Sequence, residues 1–151
     1  MMKLAPAVVA SVLVLAGDQP IRAADQPIEV VQAPDSPVRL DRLTVFTTNG
    51  APPVLLYAAT NLTETELDQF TVTVFVFDAE GRLKARQVAP GRRTLEARET
   101  KFSSMVLDVG TIAPTDRLMA GVDQAQRVDS DQWWRADLRA IAEQAATPRP
   151  R

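Results

Sequence analysis

Two groups of carboxylates in this chain have the spacing to act in pairs: Asp78 with Glu80, and Asp108 with Asp116 or Asp123. Such a pair hydrolyses a glycoside when one member is held protonated and the other attacks or activates water. The same oxygens, or the cluster Asp129-Ser130-Asp131, would suit calcium, a hard cation that takes oxygen ligands. Each acid, however, falls in or near a segment that reads as a turn, where Asp bonds its own backbone. The cluster at 129–131 reads as the start of a helix, and no spacing matches a calcium loop. We therefore expect no metal, no cofactor and no catalytic residue. A calcium-dependent carbohydrate binder or a small hydrolase built on turn carboxylates is the alternative.

Composition removes most other chemistry. The 151-residue chain has no His and no Cys. Imidazole acid–base catalysis, Ser-His-Asp and Cys-His nucleophiles, and metal sites built on His or Cys are excluded. The six glycines are not clustered before a helix, so no phosphate cradle is encoded. Lys101 and Ser103 share a strand face, but nothing buries the lysine, and the pair reads as a solvated edge. A net charge of −2 argues against nucleic acid as a partner.

What remains is recognition. Arg82, Lys84, Arg86, Arg92, Arg93, Arg98 and Lys101 lie close together in sequence. Alternation puts Arg82, Lys84 and Arg86 on one strand face, opposite Leu83 and Ala85. That face is either a cationic patch for an anionic partner or a solvated face guarding a sheet edge. Trp133 and Trp134 are adjacent. On a helix capped by Ser130, Trp134 joins Leu138, Ile141 and Ala145 on the buried stripe. Trp133 then lies about 100° around the axis. There it either covers the rim of the domain or stands out as an anchor for a partner.

The elements that must hold these residues follow from period and punctuation. Residues 1–24 read as a signal peptide: Lys3, then an apolar run from Leu4 to Gly17, then Ala23-Ala24. Residues 25–37, with Pro27, Pro34 and Pro37, read as an extended leader containing at most one short edge strand. Residues 38–128 alternate in short runs between turn signals, the pattern of a β-sandwich. Within them, Val38–Thr48 changes phase near Asp41-Arg42, which predicts a bulge. Gln69–Gly81 puts Phe70, Val72, Val74 and Val76 on one face and Thr71, Thr73, Phe75 and Phe77 on the other. A strand apolar on both faces in its second half is covered on both sides, so it is central in its sheet. Residues 129–147 read as a C-terminal amphipathic helix and 148–151 as a basic tail.

The segment from Tyr57 to Leu83, YAATNLTETELDQFTVTVFVFDAEGRL, resembles bacterial envelope domains of the FxLYD type. Asn61-Leu62-Thr63 and Phe77-Asp78-Ala79-Glu80-Gly81 are the matching positions. The likeness covers about a fifth of the chain and rests on strand and turn signals. It implies an antiparallel immunoglobulin-like or fibronectin-III-like sandwich and no substrate. The expectation is an exported, non-catalytic binding or accessory module of the bacterial periplasm. Its partner is an envelope protein, met through Trp133 or through Arg82, Lys84 and Arg86. A spacer tethered to the membrane by an uncleaved anchor is a further alternative.

Overall fold

The computed structural model describes residues 24–89, 94–128 and 132–148. The expected signal segment up to Ala23, the Arg92-Arg93 turn, the Asp129-Ser130-Asp131 cluster and the last three residues lie outside them. The described chain is mainly β, with nine strands and one short helix. Among the described residues no helix is long and apolar enough to cross a membrane.

The strands are β1 (Ala24–Gln26), β2 (Ile28–Val30), β3 (Val38–Thr48), β4 (Ala51–Asn61), β5 (Leu67–Phe77), β6 (Leu83–Val88), β7 (Thr100–Val106), β8 (Arg117–Arg127) and β9 (Gln132–Trp134). Sheet A has the order β1-β3-β4-β7. Sheet B has the order β2-β8-β5-β6, with β9 also on β8. All pairings are antiparallel except β2 with β8. The leader is thus two edge strands rather than one, crossing from sheet A to sheet B at Pro27.

The two sheets share one core. Val38, Leu40 and Val45 of β3 and Leu55, Tyr57 and Ala59 of β4 meet Phe70, Val72, Val74 and Val76 of β5 and Leu118, Ala120 and Val122 of β8. These are the alternating inward positions of each strand, where apolar area leaves water. β5 lies between β8 and β6, as its two apolar faces require. The phase change in β3 is a bulge: register shifts between Asp41 and Thr44, and Arg42 has φ 52°. β4 begins earlier than its apolar run suggests. Pro52 and Pro53 are tolerated because a second register shift, between Phe46 and Thr48, leaves them at a bulge.

The C-terminal segment differs from the helix expected over 129–147. Helix α1 spans Leu138–Ala146, and the Trp-Trp pair belongs to strand β9. β8 offers a free edge at Gln124–Gln126, and β9 takes it. Aromatic residues suit that pleated surface, so pairing overrides the helical spacing. The buried stripe of α1 is Leu138, Ala142 and Ala146; Ala145 is exposed and Ile141 half-buried. This stripe packs on Phe75 and Phe77 of β5 and Met119 of β8. α1 therefore covers the outer face of sheet B.

Candidate functional site

The basic stripe does not form. β6 is bulged: Val76 faces Ala85 while Phe77 faces Leu83, which leaves Lys84 extra. Leu83 turns toward the α1 cluster and Ala85 toward the shared core. Arg82, Lys84 and Arg86 are thereby split between directions, and each has a carboxylate. Arg82 Nε bonds Asp78 Oδ2 at 2.7 Å, with Nη2 3.2 Å from Glu80. Lys84 Nζ is paired with the buried Asp116 carboxylate. Arg86 Nη2 lies 4.0 Å from Asp123. Cations neutralised in place attract an anionic partner weakly.

Of the carboxylates considered for chemistry, Asp78, Glu80, Asp116 and Asp123 are engaged in local structure. Asp78 Oδ1 accepts from the backbone N–H of Arg82 at 2.8 Å and of Glu80 at 3.0 Å. The Arg82 N–H, together with its guanidinium, holds the Asp78 carboxyl below its usual value. A carboxylate stabilised as the anion is a poor general acid. Asp116 Oδ2 accepts from the Ala113 N–H at 2.7 Å and from Lys84. Gln26 Nε2 donates to the Ala113 and Asp116 carbonyls at 3.1 and 3.0 Å. These bonds fix the loop between β7 and β8. Asp123 accepts from the Thr71 hydroxyl. Among the described residues no three carboxylates converge as a metal-holding group. Lys101 Nζ is tied to the Thr94 carbonyl at 2.9 Å and lies 3.4 Å from Glu99.

Trp134 does not join the buried stripe expected of it. Trp133 faces Ala125 across the β8–β9 ladder and packs half-buried against the shared core. Its indole N–H donates to Asp35 Oδ2 at 3.0 Å. Trp134, opposite Gln124, points outward and is 62% exposed.

The surface with the strongest unpartnered character is one that alternation along single strands does not reveal. On the outer face of sheet A, Phe102 is 69% exposed, Val106 59% and Leu56 41%. Register makes them neighbours: Val54 faces Val106, Leu56 faces Ser104 and Ala58 faces Phe102. On the other side, Phe46 of β3 faces Val54 and Thr44 faces Leu56. A groove of about 410 Å³ runs between Arg42, Thr44, Phe46, Leu56, Phe102 and Ser104. The Arg42 guanidinium, placed by the β3 bulge, lies 5.6 Å from the Phe102 ring centroid. That contact supplies the groove with a cation over an aromatic face. A signal was present in β7, which is apolar at Phe102 and Val106 on the parity opposite to its inward Met105. No family model, no curated protein and no solved structure matches the chain.

Proposed function

We propose that this chain is an exported, non-catalytic binding module of the bacterial envelope, and that it recognises a protein partner through the outer face of sheet A. One observation carries the reading. α1 covers Phe75, Phe77 and Met119 on the outer face of sheet B and leaves Trp134 exposed there, whereas the outer face of sheet A presents Leu56, Phe102 and Val106 together to water. A contiguous apolar face with a polar rim is a common mark of a protein–protein interface. Phe102 under Arg42 supplies the aromatic and arginine chemistry that concentrates binding energy.

An immunoglobulin-like architecture is supported by connectivity. The chain leaves sheet A after β4 for the β5–β6 hairpin of sheet B, returns to place β7 beside β4, then crosses again to place β8 beside β5. Alternation of this kind between two sheets is the sandwich pattern of that fold. Export is supported by the apolar run from Leu4 to Gly17 and the Ala23-Ala24 that follow it.

The test is capture from envelope extract with protein beginning at Asp25, beside a Leu56→Asp variant of matched melting temperature. A protein retained by the wild type and lost from the variant, which then binds in purified form at least about tenfold more weakly to the variant (about 1.4 kcal/mol), is the expected result. Equal retention by both would move the recognition surface elsewhere.

A further inference from the structure

Beyond a recognition face, sheet A carries a pairing edge. Leu107 N–H donates to the Pro53 carbonyl at 2.8 Å, and the Glu99 carbonyl accepts from Asn61 N–H at 2.9 Å. In an antiparallel ladder both backbone groups of a residue point the same way, and neighbours alternate. The odd residues of β7 therefore bond β4, while Thr100, Phe102, Ser104 and Val106 aim their N–H and C=O outward. The side chain of Gln87 corroborates this direction. Its Nε2 donates to the Val106 carbonyl at 3.0 Å and its Oε1 accepts from the Asp108 N–H at 2.7 Å. Gln87 thus closes one end of the edge and leaves Thr100, Phe102 and Ser104 facing outward. Among the described residues, β7 pairs with β4 alone.

Edges are normally guarded by shortness, charge, proline or a bulge. β1 and β2 are three residues each. β6 has its bulge at Lys84, with Arg82 before it and Arg86 after it. β7 has seven residues, no proline and no register shift. Its single charge, Lys101, is drawn back onto Thr94 and Glu99.

We propose that β7 pairs antiparallel with β7 of a second copy of this chain, across a twofold axis at Phe102. The edge is self-complementary in that register. Thr100 falls opposite Ser104 of the second copy, Phe102 opposite Phe102, and all three outward residues on each side enter the ladder. Shifting the axis to Ser103 would set Thr100 against Val106, whose carbonyl Gln87 already holds. The two Phe102 rings form a cross-strand aromatic pair, which is a favourable neighbour contact on a sheet. The arrangement is isologous, hence closed at two copies. It joins two four-stranded sheets edge to edge and makes their apolar outer faces continuous.

The absence of Cys from the chain permits a clean test. Residues facing each other in a hydrogen-bonded antiparallel pair have Cα atoms about 5.5 Å apart, inside disulfide range. A thiol at position 102 meets its own image; one at position 104 is about 13 Å from its image along the strand. We expect Phe102→Cys to form a disulfide-linked dimer under mild oxidation and Ser104→Cys to remain monomeric in denaturing electrophoresis. Sedimentation equilibrium of the wild type should show a dimer. Ser104→Pro removes an outward N–H without touching the β4 ladder, and should weaken that dimer at least about tenfold with an unchanged circular dichroism spectrum. A wild type that stays monomeric to millimolar concentration, or equal cross-linking at 102 and 104, overturns the proposal. Either result leaves the Leu56 test of the recognition face unaffected.

Discussion

A Cβ built on Gly121 would lie 2.6 Å from Cδ1 of Leu138 and 3.1 Å from the Val31 carbonyl oxygen. The glycine is required for space: Leu138, the first residue of α1, occupies the volume a side chain on β8 would take. Gly121→Val should push α1 off its seat on Phe75, Phe77 and Met119, at a cost of about 1–3 kcal/mol for overpacking. Gly121→Ala should cost less, and least in a Leu138→Ala background, where only the 3.1 Å approach to the Val31 carbonyl oxygen remains. Urea unfolding of wild type, the two Gly121 variants, Leu138→Ala and the Gly121→Ala/Leu138→Ala double variant checks this. Additive losses from Gly121→Ala and Leu138→Ala would show that the two residues do not share the space.

α1 has little stability of its own. It has nine residues, no side-chain bond at its N-cap, and no basic residue in its last turn. Isolated helices of that length do not persist in water. Arg117, from β8, supplies the missing cation: its Nη1 donates to the Ala145 and Ala146 carbonyls at 2.9 and 3.0 Å, and its Nη2 bonds Glu29 at 2.8 Å. A positive charge at a helix C-terminus favourably meets the dipole and the unpaired carbonyls. Arg117→Met should cost about 1 kcal/mol and raise hydrogen exchange in the last turn of α1. Arg117→Lys should fall between, because an ammonium keeps the charge but loses the planar fork. Equal exchange in Arg, Lys and Met proteins would remove Arg117 from the account of how α1 is held.

The β5–β6 turn carries a pH dependence of known sign. The Arg82 backbone N–H, followed by its guanidinium, holds the Asp78 carboxyl below the ordinary Asp value of 3.8. A group whose folded pKa is depressed contributes stability that is complete above the unfolded pKa and is lost as pH falls through the folded one. Acid, not base, should therefore loosen this hairpin. Asp78→Asn keeps an Oδ1 acceptor for both backbone N–H groups but loses the ion pair. The stability gap between wild type and Asn variant should close as Asp78 protonates. An NMR titration of the Asp78 side-chain carbon gives the midpoint directly; a value at or above that of an unperturbed Asp would contradict the geometry.

How much of this was legible depends on whether the information was local. β5 could be read because Phe75 and Phe77 made its second face apolar, which demanded a cover. That the cover is α1 required the tertiary structure. The bulge at Arg42 showed as a parity change between Leu40 and Leu43. The bulge at Lys84 did not show, because cation-apolar alternation runs through it unbroken, and so three arginines and lysines on one face was the natural reading. Trp134, Leu138, Ile141 and Ala145 fit a helical period, yet the free edge of β8 recruits the Trp-Trp pair as a strand. Period cannot register the presence of a distant edge. The outer face of sheet A was hidden for a related reason. Phe46, Leu56 and Phe102 come from three strands, and only their register brings them together.

Asn61 poses the sharpest test of the core. Asn61-Leu62-Thr63 has the form of a glycosylation sequon, yet the Asn61 residue is fully buried. Its Nδ2 donates to the carbonyls of Thr65 at 2.8 Å, Glu96 at 3.0 Å and Leu95 at 3.3 Å, while Oδ1 accepts from the Thr63 N–H at 2.9 Å and hydroxyl at 2.8 Å. The amide thus joins the end of β4 to the loop before β5 and to the segment before β7. Asn61→Ala should cost about 2–4 kcal/mol, since it strands several buried polar groups at roughly 1–3 kcal/mol each with partial relaxation. Asn61→Asp preserves shape and the Oδ1 acceptor but turns an anion toward three carbonyl oxygens. Burial and those oxygens raise its folded pKa above the unfolded value. Its contribution is then present in acid and lost as pH rises through the folded pKa, the reverse of Asp78. The urea midpoint of the Asp variant should therefore fall between about pH 4 and pH 7 relative to wild type. A midpoint gap that is constant over that range would mean that the side chain reaches water and that the amide does not tie these three segments together.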